Sequence, residues 1–580
     1  MALPRSISIL HPCSRKAPTL GVGRQAELAL LLKFGNEKKR NSLIKKAKEM
    51  KNTLLQDWQD SSWPTIKSSK PLETDGVIDQ RTFNTIEVDE LFDAVNHAST
   101  IAGQAVLYRS LAQPLDDSDA IKAKQQAVEE LRNNPELKEQ LEQIVQQAVA
   151  NEKNFYLLLF GEFLGTFGTA REDHEIEGYG YLQYKRGIRF MLELVDRIQS
   201  VEAPQSAYLQ GICDKIKAFA ETRPYSLMEG PVYITENNIQ CKEQRKGSFS
   251  LAVIFRPRLF KPLLISLFFA AVWALAHFFP TDMFQVSVEA IPTASIFLVP
   301  ILLVYYPIVG GFDRDSCIIP LREEFKKSPA VGETLDALGQ LDELLSFIKF
   351  ADAFGGSKVL PELVDAPHHR INLQDARNPV LGKQNPDYVG NDFVLEDDKL
   401  VLITGPNSGG KTAFCKTVTQ IQLLAQIGCY VPAKSATLTV ADRIFYQAPD
   451  ISHLDDGEGR FGTELKRTKE IFLAATPKSL VVLDELSEGT TFEEKMESSS
   501  NVLNGFYRKG NSTILITHNH QLVDHFAAQG IGLPRQVEFA NDAPTYKLVP
   551  GISRVSHADR VAKKIGFSKE DIDNYLADSQ

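Results

Sequence analysis

Between Leu400 and Ile427 the chain is first apolar, then glycine-rich, then helix-compatible, and this order restricts the fold more than any other stretch. Leu400-Val401-Leu402-Ile403 reads as a buried strand, and Ala413 to Ile427 reads as a helix. Thr404-Gly405-Pro406-Asn407-Ser408-Gly409-Gly410-Lys411-Thr412 joins them. Glycines let backbone N–H groups turn toward phosphate oxygens, and the helix N-terminus adds partial positive charge. The cradle comprises Gly405, Pro406, Asn407, Ser408, Gly409, Gly410, Lys411, Thr412 and Ala413. Lys411 is placed to reach the β- and γ-phosphates, and the Thr412 hydroxyl to ligate magnesium. The expected cofactors are ATP and Mg2+, bound to an α/β domain.

Hydrolysis needs a second group of acids. Leu480-Val481-Val482-Leu483-Asp484-Glu485 reads as a buried parallel strand ending in two carboxylates. Asp484 is the expected magnesium partner and Glu485 the group that polarises the attacking water. Ser512-Thr513-Ile514-Leu515-Ile516-Thr517 is a third strand, ending at His518, from which a donor can face the γ-phosphate. Lys411, Glu485 and His518 are the candidate catalytic residues.

At 580 residues the chain is too long for one core. Its net charge of −10 exerts no global pull toward nucleic acid. Six cysteines without a C-x-x-C pair suit reduced thiols better than a disulfide framework or zinc site. Two apolar segments, 263–279 and 294–309, carry no formal charge. As helices they span roughly 25 Å, slightly under the ~30 Å hydrocarbon core. They are expected to form a transmembrane hairpin, with a buried helical hairpin or a re-entrant element as the alternative. Arg256, Arg258 and Lys261 precede the pair and Arg314 and Arg322 follow it, which orients both ends toward the cytoplasm. The expected location is a multi-pass membrane protein of two helices with a cytoplasmic ATPase domain.

Residues 1–80 read as an N-terminal helical segment with a basic cluster from Lys38 to Lys51. Residues 81–250 are largely helical in spacing, 251–315 hold the hairpin, and 316–365 are helical again. Residues 366–555 carry the nucleotide motifs, and 556–580 read as a C-terminal helix.

The chain resembles the MutS family of ABC-type ATPases. T-G-P-N-S-G-G-K-T followed by I-G-C-Y-V-P-A is similar to that family's phosphate loop and following helix. L-V-V-L-D-E-L-S-E-G-T-T resembles its Walker B and D-loop segment, I-T-H-N-H its switch histidine, and Asp442-Arg443-Ile444-Phe445 its D-R-I-F. Asn96 to Leu115 and Gln125 to Val128 resemble its helical core. The resemblance implies an all-α core and lever joined to the ATPase domain, a homodimer with composite ATP sites, and mismatched or structured DNA as a partner. It also implies that Tyr388 stacks on adenine.

Departures are equally specific. In the trans-acting segment Gly457 to Leu465, Gly459 and Arg460 stand where the family has a serine. Residues 1–80 contain no Phe-x-Glu mismatch wedge, and Phe160-Gly161-Glu162 lies in a helical stretch. The hairpin falls in the place of the family's DNA clamp, which directs the ATP-driven lever toward a bilayer. Two readings follow: a membrane-anchored MutS-like ATPase, or an ATP-dependent membrane transporter or scaffold without DNA binding.

Overall fold

The computed structural model describes residues 76–165, 175–235, 238–244, 252–257, 267–272, 274, 300, 308–383, 385, 387–406, 409–449, 459–487, 491–540, 543–554, 562 and 565–577. These divide into two units. One comprises Asn151–Leu192 and Arg223–Ser328. Its sheet has three antiparallel strands, with Val232–Thr235 between Asn238–Gln240 and Val253–Phe255. Tyr184 packs edge-on against Phe255, with ring centroids 5.4 Å apart, and stacks on Phe325.

The second unit carries a helical bundle and the nucleotide motifs. In the bundle, α1 (Ile101–Ala112), α2 (Ser118–Asn133) and α3 (Ala207–Ala218) surround α4 (Pro329–Ala353). Most of helix α4 is buried, including the polar Thr334, Asp342, Glu343 and Ser346 among its apolar residues. Small residues set its contact with α1. A Cβ on Gly103 would lie 2.3 Å from Asp342 Oδ2, and one on Gly339 would lie 2.6 Å from Val106. The space so created admits the Asp342 carboxylate, whose Oδ2 accepts from Ser99 N, Thr100 N and Thr100 Oγ1 at 2.6–2.8 Å. An anion there satisfies N–H groups that the helix start leaves without partners.

The nucleotide motifs occupy a six-stranded sheet. Its strands are β1 (Leu400–Thr404), β2 (Ile444–Gln447), β3 (Leu480–Asp484), β4 (Ser512–Ile516), β5 (Leu533–Ala540) and β6 (Ala543–Pro550), in the order β2-β3-β4-β1-β5-β6. The first five are mutually parallel and β6 is antiparallel. Strands β1, β3 and β4 are buried at every residue, which accounts for the apolar runs Leu400 to Ile403, Leu480 to Leu483 and Ile514 to Ile516 within them. The helices that follow are α5 (Lys411–Gln426), α6 (Gly459–Ala474), α7 (Phe492–Lys509) and α8 (His520–Ala528). A smaller sheet pairs Glu362–Leu363, Ser435–Leu438, Ile371–Ala376 and Asn391–Leu395 in that order.

The outer edge of β2 is covered from far upstream. Ile78 bridges Ile444 in parallel, and Ile444 N donates to Val77 O at 2.6 Å. Arg467 of α6 forms a buried ion pair with Asp79.

The expected transmembrane hairpin is corrected. Among the described residues no helix is long and apolar enough to cross a membrane. Most of 263–279 and 294–309 lies outside those residues, and the described piece 267–272 is a short helical stretch. Charge-free length overstated the case. Both runs fall below the ~20 residues of a full span, and Pro300 and Pro307 interrupt the second. The multi-pass membrane location, the membrane partner and the bilayer-coupled lever rested on that hairpin and are withdrawn with it. The basic cluster at 38–51 lies outside the described residues. All five described cysteines are unbridged and buried.

Candidate nucleotide site

Sheet order brings the separated motifs together. Strand β4 lies between β1 and β3, so the phosphate loop, the Asp484-Glu485 pair and His518 all leave the same carboxyl edge. In open α/β sheets ligands bind beyond that edge.

Gly405 and Gly410 have φ of +142° and +84°, a region that side-chain-bearing residues rarely adopt. Gly409 is restricted by space, since a Cβ there would lie 3.0 Å from Val537. Asn407 and Ser408 lie outside the described residues. Lys411 is 2% exposed, and its Nζ donates to Gly405 O at 2.7 Å and Pro406 O at 2.9 Å. Burial lowers its pKa, opposed by Glu485 and Asp484. The ammonium thus spans the loop that it would share with phosphate.

Thr412 Oγ1 donates to Asp484 Oδ2 at 2.9 Å across the β1–β3 gap. Asp484 is 7% exposed, and burial raises its pKa against the Thr412 hydrogen bond. A hydroxyl and a carboxylate on one point form the hard-oxygen set that suits magnesium, with phosphate and water completing the shell. The glycine cradle and Lys411 likewise fit a triphosphate. Glu485 takes φ of +61° at the strand end, and its Oε1 lies 2.9 Å from His518 Nε2. Lys411, Thr412, Asp484, Glu485 and His518 are therefore one cluster.

Ala413 lies in the first turn of α5, where its carbonyl accepts from Thr417 Oγ1 at 2.8 Å. Half-buried Tyr388 lies beside that turn, its hydroxyl 3.4 Å from Thr417 Oγ1. Gly459 starts α6, and the Arg460 side chain lies outside the described residues. Two tyrosines escaped the sequence reading. Tyr546, at φ +61° and 53% exposed, puts its ring 3.2 Å from where a Gly410 Cβ would be. Buried Tyr446 on β2 directs its hydroxyl to Asp484 Oδ2 at 3.5 Å. A tyrosine in an otherwise apolar buried strand, as in Ile444-Phe445-Tyr446, was the available signal for the latter.

A parallel sheet whose central strand feeds a glycine loop and helix, with acids on a nearby strand end, has the architecture of the phosphate-loop nucleotide-binding class. The model of MutS domain III matches residues 74–347, and that of MutS domain V matches residues 401–575. The chain belongs to the MutS family. It is 26% identical to the DNA mismatch repair protein MutS of Microcystis aeruginosa over 499 residues, covering 77% of this chain and 54% of that protein. Identity is 31% over 258 residues to the protein of the same name from Parabacteroides distasonis, covering 42% and 29% of the two chains. It is 34% over 254 residues to Endonuclease MutS2 of Thermus thermophilus, covering 43% and 33%. The chain thus spans about half the length, or less, of these relatives.

Proposed function

We propose that this MutS-family chain binds and hydrolyses ATP with magnesium, in a homodimer whose composite sites are completed in trans, and couples that cycle to structured or mismatched DNA. The observation that carries the ATPase reading is the convergence of Lys411, Thr412, Asp484, Glu485 and His518 at one sheet edge. Gly405 to Ala413 wrap the phosphates, with Lys411 exchanging loop carbonyls for phosphate oxygens. Thr412 and Asp484 hold magnesium. Glu485 orients and deprotonates the attacking water, and His518 holds the Glu485 carboxylate and faces the γ-phosphate. Tyr388 and the exposed ring of Tyr546 offer aromatic faces to the base. The DNA reading draws on the names of the relatives, which are DNA mismatch repair proteins.

Replacing Glu485 by Gln tests the chemistry. The variant keeps its shape and its ATP affinity, while turnover falls roughly 10²–10⁴-fold, the usual worth of a general base. Single-turnover hydrolysis alongside equilibrium ATP binding separates the two steps. Turnover at the unsubstituted rate removes Glu485 from the role, and absent ATP binding removes the function altogether.

A further inference from the structure

Helix α5, which begins at Lys411, buries an unusual set of polar side chains. Thr417, Thr419, Gln420, Gln422 and Gln426 are each at most 1% exposed. A buried amide left unsatisfied costs about 1–3 kcal/mol, so the partners of these groups are informative. Thr419 turns back to Cys415 O within the helix. Gln420 and Gln426 reach outward. Gln420 Nε2 donates to Ile86 O at 2.8 Å, and its Oε1 accepts from Asn378 Nδ2 at 3.1 Å.

Gln426 uses both ends of its amide. Its Nε2 donates to Leu115 O at 2.7 Å and Ala441 O at 2.9 Å. Its Oε1 accepts from Ala441 N at 3.1 Å and Gln422 Nε2 at 2.9 Å. Its backbone carbonyl accepts from Leu115 N at 3.2 Å. On a more exposed side, Lys416 pairs with Glu87 at 2.7 Å. Just beyond the helix, Gly428 takes φ of +77° and lies against Lys124, where a Cβ would meet the lysine stem at 3.2 Å. Lys124 is itself in a buried ion pair with Glu343 of α4 at 2.8 Å.

Apolar contact is non-directional and allows one element to slide on another. Hydrogen bonds to fixed carbonyls lose most of their strength when bent, so they resist that sliding. The nucleotide ligands Lys411 and Thr412 stand at one end of α5, and the Gln426 ties stand at the other, roughly 24 Å away for sixteen residues.

We propose that α5 works as a rigid strut. Displacement of its first turn on nucleotide binding is handed through Gln420 to Ile86 and through Gln426 to the α1–α2 connection at Leu115. Both glutamines are positioning residues, since neither touches the nucleotide ligands. The proposal rests on the ATP reading above.

Hydrogen–deuterium exchange on the full chain tests it, with and without the β,γ-imido analogue of ATP and magnesium. In the unsubstituted chain the analogue changes protection in peptides covering 84–90 and 112–118. With Gln420→Met and Gln426→Met combined, analogue affinity stays within about threefold while that change shrinks at least about fivefold. A full-sized change in the folded double variant overturns the strut. So does a chain that binds the analogue with no change at either peptide, a result that needs no variant. Failure of the unsubstituted chain to bind the analogue would instead overturn the ATP reading.

Discussion

Asp484 holds a position that favours its ligand over its own stability. Burial raises its pKa, while Thr412 and Lys411 pull it down less strongly. A carboxyl whose folded pKa lies above its unfolded one binds more protons in the native state. Stability therefore falls as pH rises through that window, and the cost persists at neutral pH. Asp484→Asn should raise the melting temperature of the nucleotide-free chain and lower magnesium-dependent hydrolysis by about 10²-fold or more. Scanning fluorimetry and phosphate release measure the two halves. The site was legible in the sequence wherever its residues lay in continuous motifs: the glycine loop, the paired acids and the strand-end histidine. Tyr546 was not legible, because its approach to Gly410 depends on the β5–β6 pairing and a left-handed backbone angle. Neither leaves a local sequence mark.

Among elements, α5 was recognised by its start but not by its buried side. Spacing marks Thr417, Gln420, Gln422 and Gln426 as ordinary polar positions, and only their partners from distant segments show why they are inside. The same limit applied to 263–309, where apolar composition was read as a membrane span. Next to α5, His369 is wholly buried, with Nε2 3.3 Å from Gln422 Oε1. Burial lowers its pKa to about 4. The native state then binds fewer protons than the unfolded chain between that value and about 6.5. Stability from this group is present above about pH 6.5 and is lost as pH falls toward 4, by up to about 3 kcal/mol. Urea unfolding across that range should show the loss, and His369→Asn should flatten it. An equally steep profile in the variant would place the acid sensitivity elsewhere.

For the whole molecule, a net charge of −10 means that DNA affinity depends on local cationic surface. Any complex should weaken steeply with salt, with a slope set by the number of phosphates neutralised. Fluorescence anisotropy with paired, mismatched and branched duplexes reads slope and preference together. Affinity that is absent at low salt for all three would confine the proposed function to the ATPase. The family and the helical character of the core were legible from motifs and periodicity, because both are local patterns. The closure of the sheet was not, since it joins residue 78 to residue 444. That closure has a consequence for taking the protein apart. A fragment starting after Thr85 would lose the cover on β2, where Tyr446 N also donates to Thr82 Oγ1 at 3.2 Å, and leave Arg467 without its buried counterion. An uncovered strand edge recruits other strands, so an ATPase half expressed alone should self-associate and precipitate. Carrying residues 76–85 along, tethered ahead of the fragment, should restore its solubility.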